Sequence, residues 1–169
     1  GIKGTLGHLN FSSLPHLTTI ELPQNELYGT IPSNIGNLSR LVLLDLESNN
    51  FSGVIPIQIS HLTNLRYLSL SNNSLHGSIP KEVTFLKSLV ELSLMLNDLT
   101  GSIPTSIGNL TNLTFLYLRD NKLSGHIPSG IGNLTKLAEL SLETNQLSGP
   151  FPEAIGKLRS LTLLSLADN

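Results

Sequence analysis

The chain reads as an α/β-type solenoid, a right-handed superhelix with a concave parallel β-sheet, short flanking second strands and convex 3-10 turns. Three features lead there. An asparagine recurs at Asn25, Asn49, Asn73, Asn97, Asn121, Asn145 and Asn169, spaced by 24 residues without insertion or deletion. Leucines precede each asparagine at steps of three and then two, as in Leu110, Leu113, Leu116 and Leu118 before Asn121. A second frame, Leu-x-Gly-x-Ile-Pro, follows it, for example Leu123, Gly125, Ile127 and Pro128. Self-similarity at a fixed period of roughly 20–29 residues marks stacked coils, each touching only its neighbours, around a ribbon-shaped core.

Each element of the coil has a local cause. The two-residue leucine step is strand periodicity, so Leu116 and Leu118 point inward while Phe115, Tyr117 and Arg119 point outward. At the parallel-strand spacing of roughly 4.8 Å, the coils form one continuous sheet about 30 Å across. The asparagine ends the strand where the chain turns inward. Its carboxamide both donates and accepts, so stacked asparagines are expected to bond the turns above and below them, a structural role and not a catalytic one. The alternating apolar residues of Leu27-Gly29-Ile31 and Leu75-Gly77-Ile79 predict a short flanking strand, ended by Pro32 and Pro80, which have no N–H to donate. Segments such as Thr105 to Leu110 are too short for an α-helix and predict a 3-10 turn on the convex side.

The first coil deviates. Gly4-Thr5-Leu6 matches Gly29-Thr30-Ile31 at a spacing of 25 instead of 24, so the connection through Leu9 to Leu14 carries one extra residue. Pro23, at an outward strand position, predicts a local gap in the first ladder. Residues 1–169 are expected to form a single array of about seven 24-residue coils that lacks both terminal caps, since Gly1 lies inside a coil and Asn169 on the asparagine column.

Composition excludes several function classes. A net charge of −2 with 13% charged residues creates no field that would draw the chain onto nucleic acid or an acidic membrane. No apolar run of 18 or more residues is present, so no direct membrane contact is expected within the chain. The absence of cysteine excludes disulfides, thiolate metal sites and cysteine nucleophiles. His8, His16, His61, His76 and His126 fall in different columns, so no metal site, cofactor or catalytic triad is expected.

The register assigns every outward strand residue to a column. Eight of the twelve carboxylates (Glu21, Asp45, Glu47, Glu91, Asp120, Glu139, Glu143 and Asp168) fall on the concave face, against one of the ten basic residues, Arg119. Arg40, Arg66, Lys87, Lys136, Lys157 and Arg159 lie on the connection leading into the strand. Tyr67, Met95, Phe115 and Tyr117 interrupt the polar surface, and exposed aromatics beside a lone cation have the composition of a binding hot spot. The candidate ligand-binding set is Tyr67, Glu91, Met95, Phe115, Tyr117, Arg119, Glu139 and Glu143, suited to an extended, net-basic peptide. The competing reading is structural: Arg119 pairs across strands with Glu143 or Glu91 while the aromatics cover its stem. Glu139 and Glu143 lie on one open strand with no pocket to separate their pKa values, which argues against glycosidase chemistry; no catalytic residue is expected.

Seven sequons open at Asn10, Asn37, Asn50, Asn72, Asn109, Asn112 and Asn133. Each accepts an N-glycan if the chain passes through a secretory lumen, although the repeat consensus itself generates Asn37, Asn109 and Asn133.

The frame LxxLxxLxLxxNxLxGxIPxxIGN, with Gly-x-Ile-Pro recurring at Gly29, Gly53, Gly77, Gly101 and Gly125, resembles the plant-type extracellular leucine-rich repeat. That class is found in the ectodomains of receptor-like kinases, in receptor-like proteins and in polygalacturonase-inhibiting proteins. The resemblance covers essentially the whole chain. It implies an extracellular or cell-surface location, a peptide or protein ligand and a co-receptor kinase as a further partner. Some peptide receptors of this family read a ligand carboxylate with two concave arginines separated by one residue; here Arg119 has Tyr117 in the partner position. The leading reading is a ligand-recognition module of a plant cell-surface receptor-like kinase or receptor-like protein, with no enzymatic activity in this chain. The alternative is a secreted inhibitor of a microbial cell-wall hydrolase. A structural or ice-binding solenoid is a third class, but Tyr117 and Asp45 interrupt the column Ser69, Ser93, Ser141 and Ser165.

Overall fold

The computed structural model describes residues 1–169. Fourteen strands follow one another: β1 (Lys3–Gly4), β2 (Thr19–Glu21), β3 (Glu26–Thr30), β4 (Leu43–Asp45), β5 (Asn50–Gly53), β6 (Tyr67–Ser69), β7 (Ser74–Ser78), β8 (Glu91–Ser93), β9 (Asp98–Gly101), β10 (Phe115–Tyr117), β11 (Lys122–Gly125), β12 (Glu139–Ser141), β13 (Gln146–Leu147) and β14 (Leu163–Ser165). The even-numbered strands form the concave parallel sheet and the odd-numbered strands the flanking one. Seven 3-10 turns occupy the convex side, as the sequence predicts. Between the layers runs one continuous core of 39 buried apolar side chains, so no break divides the array.

Concave partners are 24 residues apart, as Phe115 with Glu91 and Glu139. Flanking partners are 22 apart, as Tyr28 with Asn50. At the first coil the flanking offset becomes 23, Lys3 pairing with Glu26, which is where the one-residue irregularity of the sequence is absorbed. The first convex turn also shortens, to Phe11–Ser13.

The asparagine column ties coils together in one direction only. Asn121 Nδ2 donates to the Leu118 and Arg119 carbonyls of its own turn and to the Leu94 carbonyl of the preceding coil, at 3.1, 3.2 and 3.0 Å. Its Oδ1 accepts the Leu99 amide of the preceding coil at 3.0 Å. Bonding to both neighbouring coils, as expected from the sequence, does not occur. These contacts commit both amide hydrogens and the oxygen, and the following coil is fastened by its own asparagine, Asn145.

The residue before each asparagine adopts left-handed backbone, with φ between 51 and 56° at Gln24, Ser48, Asn72, Leu96, Asp120, Thr144 and Asp168. This reverses the chain so that the carboxamide enters the core. Gly77 also has positive φ, 78°, and a Cβ there would lie 3.0 Å from a Val54 methyl, so its column needs glycine. Gly108 is excluded from substitution differently: a Cβ would approach the Gly130 carbonyl oxygen to 2.2 Å.

The gap expected at Pro23 is absent. Leu22 and Gln24 donate to the Asp45 and Glu47 carbonyls, both at 2.9 Å, on either side of it. Successive strand N–H groups point in opposite directions, so the nitrogen of Pro23 faces away from β4, at the sheet edge. The equivalent N–H of Glu47 bonds the Asp45 side chain at 2.9 Å instead of a strand, so this position makes no ladder bond to lose.

Asn121→Ala is expected to lower the unfolding free energy by about 3 kcal/mol, because several buried groups lose their partners. Asn25→Ala is expected to cost less than half as much, since its carboxamide is less buried and makes fewer bonds; urea denaturation of both variants reads the difference. Leu96→Asn is expected to stabilise the fold by about 1 kcal/mol in the same assay, since the left-handed conformation is costly for leucine and mild for asparagine.

Candidate functional site

Strands β6 to β12 carry the outward residues singled out in the sequence. Register places Leu43, Tyr67, Glu91, Phe115, Glu139 and Leu163 in one row across the sheet. The next row runs Asp45, Ser69, Ser93, Tyr117, Ser141 and Ser165. Glu47, Ser71, Met95, Arg119 and Glu143 follow at the same 24-residue spacing beyond the strand ends.

Two hollows open on this face. One of about 390 Å³ brings together Met95, Tyr117, Arg119, Glu139 and Glu143, with Ser141, Leu163 and Ser165 completing its wall. The other, about 160 Å³, lies among Asp45, Tyr67, Ser69 and Glu91. Phe115 stands between them and stacks on Tyr117 with ring centroids 6.2 Å apart and planes 17° from parallel. The candidate set therefore forms one continuous surface with two depressions.

The large hollow is internally bonded. Tyr117 Oη donates to Glu139 Oε2 at 2.7 Å. Burial raises the Tyr117 phenol well above its ordinary pKa, reinforced by that bond and by the charges of Glu139 and Glu91. Burial also opposes ionisation of Glu143. Hydrogen bonds from Ser141 Oγ (2.7 Å), its own backbone N–H and Ser165, with the nearby charge of Arg119, outweigh burial and hold this carboxyl below its usual range. Arg119 lies between Asp120 at 2.9 Å and Glu143 at 3.8 Å. Of the two cross-strand partners considered for Arg119, Glu143 is the one engaged.

The smaller hollow is electrostatically different. Asp45, Glu47 and Glu91 have no cationic partner. Desolvation raises the pKa of Glu91, and the like charges of Asp45, Glu47 and Glu139 add to it. A half-buried carboxylate repelled by its neighbours is the feature on this face best suited to an incoming cation.

Two features escaped sequence reasoning. Arg66, on the connecting segment, reaches over the Tyr67 ring at 5.8 Å; its adjacency to an outward aromatic was the only available signal. Ser71, Ser93 and Ser141 point outward yet are buried, and Ser71 and Ser93 share a hydrogen bond of 2.7 Å. A period-two pattern gives direction but not depth, and the larger side chains of neighbouring strands cover these hydroxyls.

All seven sequon asparagines are exposed and lie off the concave strands. Asn37, Asn109 and Asn133 end convex turns, and Asn50 opens β5. Asn37 is bonded to Ser12 and Asn72 to Ser48, while Asn112 donates to the Lys87 carbonyl and accepts from Lys136. The five histidines are exposed and form no cluster with each other or with carboxylates.

The family model described as leucine-rich repeat region matches residues 55–168, and the leucine rich repeat model matches residues 15–75. No curated protein matches the chain. Among solved structures, the leucine-rich repeat ectodomain of the plant membrane receptor kinase GASSHO1/SCHENGEN3 from Arabidopsis thaliana, in complex with CASPARIAN STRIP INTEGRITY FACTOR 2, superposes with a TM-score of 0.96. It is 41% identical over 99% of this chain and 20% of its own length. The Arabidopsis receptor kinase HAESA, solved with the peptide hormone IDA and the co-receptor SERK1, gives 0.93 and 39% identity over 98% of this chain and 28% of that one. A plant ice-binding protein gives 0.79 and 30% identity, covering 97% and 60%. The chain thus spans about a fifth to three tenths of the receptor ectodomains it matches.

Glu91→Gln is expected to raise the denaturation midpoint at neutral pH. The folded-state pKa of Glu91 is raised, so its ionisation penalty is full above that value. The penalty shrinks as pH falls and is gone below about 4, where the unfolded carboxyl is protonated too, so the two midpoints should converge there.

Proposed function

The chain belongs to the leucine-rich repeat family, and from that premise we propose that it is a ligand-recognition module of a plant cell-surface receptor-like kinase or receptor-like protein. It works outside the cell and performs no chemistry itself. Its ligand is an extended, net-basic peptide or protein segment lying across β6 to β12, and a co-receptor kinase is a further partner. The observation that carries this reading is the Asp45, Glu47 and Glu91 group, unpaired beside the aromatic surface of Tyr67, Phe115 and Tyr117. The solved ectodomains similar to this chain include one described with a peptide hormone and a co-receptor, which supports the same use of the fold here.

Recognition divides between the two hollows. A ligand cation placed against Glu91 relieves the repulsion from Asp45 and Glu47 that disfavours its ionisation. An apolar ligand side chain fits the larger hollow, over Met95 and Leu163. Arg119 is unsuited to capturing a ligand carboxylate, because Asp120 and Glu143 already occupy it. Ice binding is disfavoured even though a plant ice-binding protein shares the fold: Asp45 and Tyr117 break the serine row, and Ser93 and Ser141 are sunk below the surface.

An array of extended synthetic peptides of graded charge tests the reading. Binding is expected to rise with positive charge, to weaken with salt, and to drop at least about tenfold when Tyr117, Arg119 and Glu143 are together replaced by alanine. Affinity should also fall as pH drops through the raised pKa of Glu91, a dependence that Glu91→Gln removes. No charge preference, or unchanged affinity in the triple variant, would sink the proposal.

A further inference from the structure

Three aromatic side chains are more than half exposed, Tyr28, Phe85 and Phe151. Phe151 shares an apolar hollow with Ile127, Leu147 and Leu166 in the last coils. Each of the other two has a sequon asparagine beside it. Tyr28 pairs directly with Asn50 across the flanking sheet. Strands there are about 5 Å apart, and paired residues project to the same face. Phe85 and Asn109 are the last residues of the convex turns Lys81–Phe85 and Thr105–Asn109, which belong to consecutive coils and pack on one another. Asn50 and Asn109 are exposed, and no side-chain hydrogen bond holds either carboxamide, unlike Asn37, Asn72 and Asn112.

We propose that Asn50 and Asn109 carry N-glycans whose first N-acetylglucosamine lies on the rings of Tyr28 and Phe85. The proposal rests on the extracellular reading, because glycan transfer takes place in a secretory lumen. In the transfer, Asn Nδ2 bonds to C1 of an oligosaccharide carried on a lipid pyrophosphate. The C1–oxygen bond breaks, the lipid pyrophosphate leaves with the electron pair, and Nδ2 gives up one proton to the transferase's base. The axial C–H groups of the attached sugar carry partial positive charge, and the face of an aromatic ring is negative, so the two surfaces attract while covering apolar area. Neither ring is used by the core or by the concave face. Glycans on the flank and the convex turn leave the concave strands β6, β8, β10 and β12 uncovered.

The test directs the full chain into the secretory pathway of cultured plant cells with an added leader, so that transfer is measured whatever the protein's own destination. Glycopeptide mass spectrometry is expected to find both Asn50 and Asn109 occupied. A bare asparagine at either position overturns the proposal there. With glycans trimmed to the first sugar, the axial H3 and H5 proton signals at the two sites are expected upfield of their free-sugar position, shifted by the ring currents of Tyr28 and Phe85. They should return to that position in Tyr28→Ser and Phe85→Ser, whose exposed rings can be removed without disturbing the core. Unshifted signals in the parent protein overturn the stacking. Failure of the receptor reading would look different: the lumen-directed chain would still be glycosylated at both asparagines, but it would show no preference for basic peptides over neutral or acidic ones.

Discussion

The buried carboxamide of each ladder asparagine is the interaction on which the rest of the molecule depends. In every coil the chain must leave the concave strand and turn into the core, stranding carbonyls and an amide where water cannot reach them. Asn121 satisfies three carbonyls and one amide with a single side chain, two of those contacts reaching the preceding coil. Aspartate could not donate to the carbonyls, and serine could not span both coils. Because the same bonds recur at a strict 24-residue period, stacking has one register. A slip of one residue would expose the leucines of the whole coil.

That fixed register turns sequence columns into surface rows, and the rows separate roles by side. The concave face holds most of the carboxylates but a single arginine. The charge that remains available is narrower than the composition suggests. Tyr117 holds Glu139, while Ser141 and Arg119 hold Glu143, so these carboxylates of the C-terminal half of the face already have partners. Around Glu91 nothing compensates, and desolvation makes the carboxylate costly to ionise until a cation arrives. Under the proposed reading, specificity on this surface comes from uneven compensation more than from net charge.

Most of the fold was legible because it is periodic. Leucine spacing located the concave strands, Gly-x-Ile-Pro located the flanking strands and the turns after them, and even the irregular first coil appeared as a one-residue shift, now seen as the pairing of Lys3 with Glu26. Where the reading failed, the missing information was the direction of individual bonds. Pro23 looked disruptive because its lack of a donor was visible, while the side of the strand it faces was not. The asparagines looked bidirectional because a carboxamide can be, but left-handed residues such as Leu96 and Asp120 aim them at the preceding coil. The candidate site was legible as columns, whereas its division into two hollows depends on side-chain depth, which separates the buried Ser93 from Tyr117 in the same row.

The separation of the two hollows constrains the ligand under the proposed reading. The acidic hollow spans β4 to β8 and is centred on β6, and the larger, charge-compensated one spans β8 to β14 and is centred near β12. Three strand spacings of roughly 4.8 Å separate the centres, about 14 Å. An extended peptide advances about 3.3 Å per residue, so a chain crossing the strands covers that distance in about four residues. Side chains of an extended chain alternate faces, and an even separation lets both anchors point toward the sheet. A basic residue and a large apolar residue four positions apart therefore satisfy both hollows at once, with the middle one of the three intervening residues over the stacked Phe115 and Tyr117 rings. An odd separation would turn one anchor toward solvent, so the spacing of the two hollows selects for sequence pattern as well as for charge.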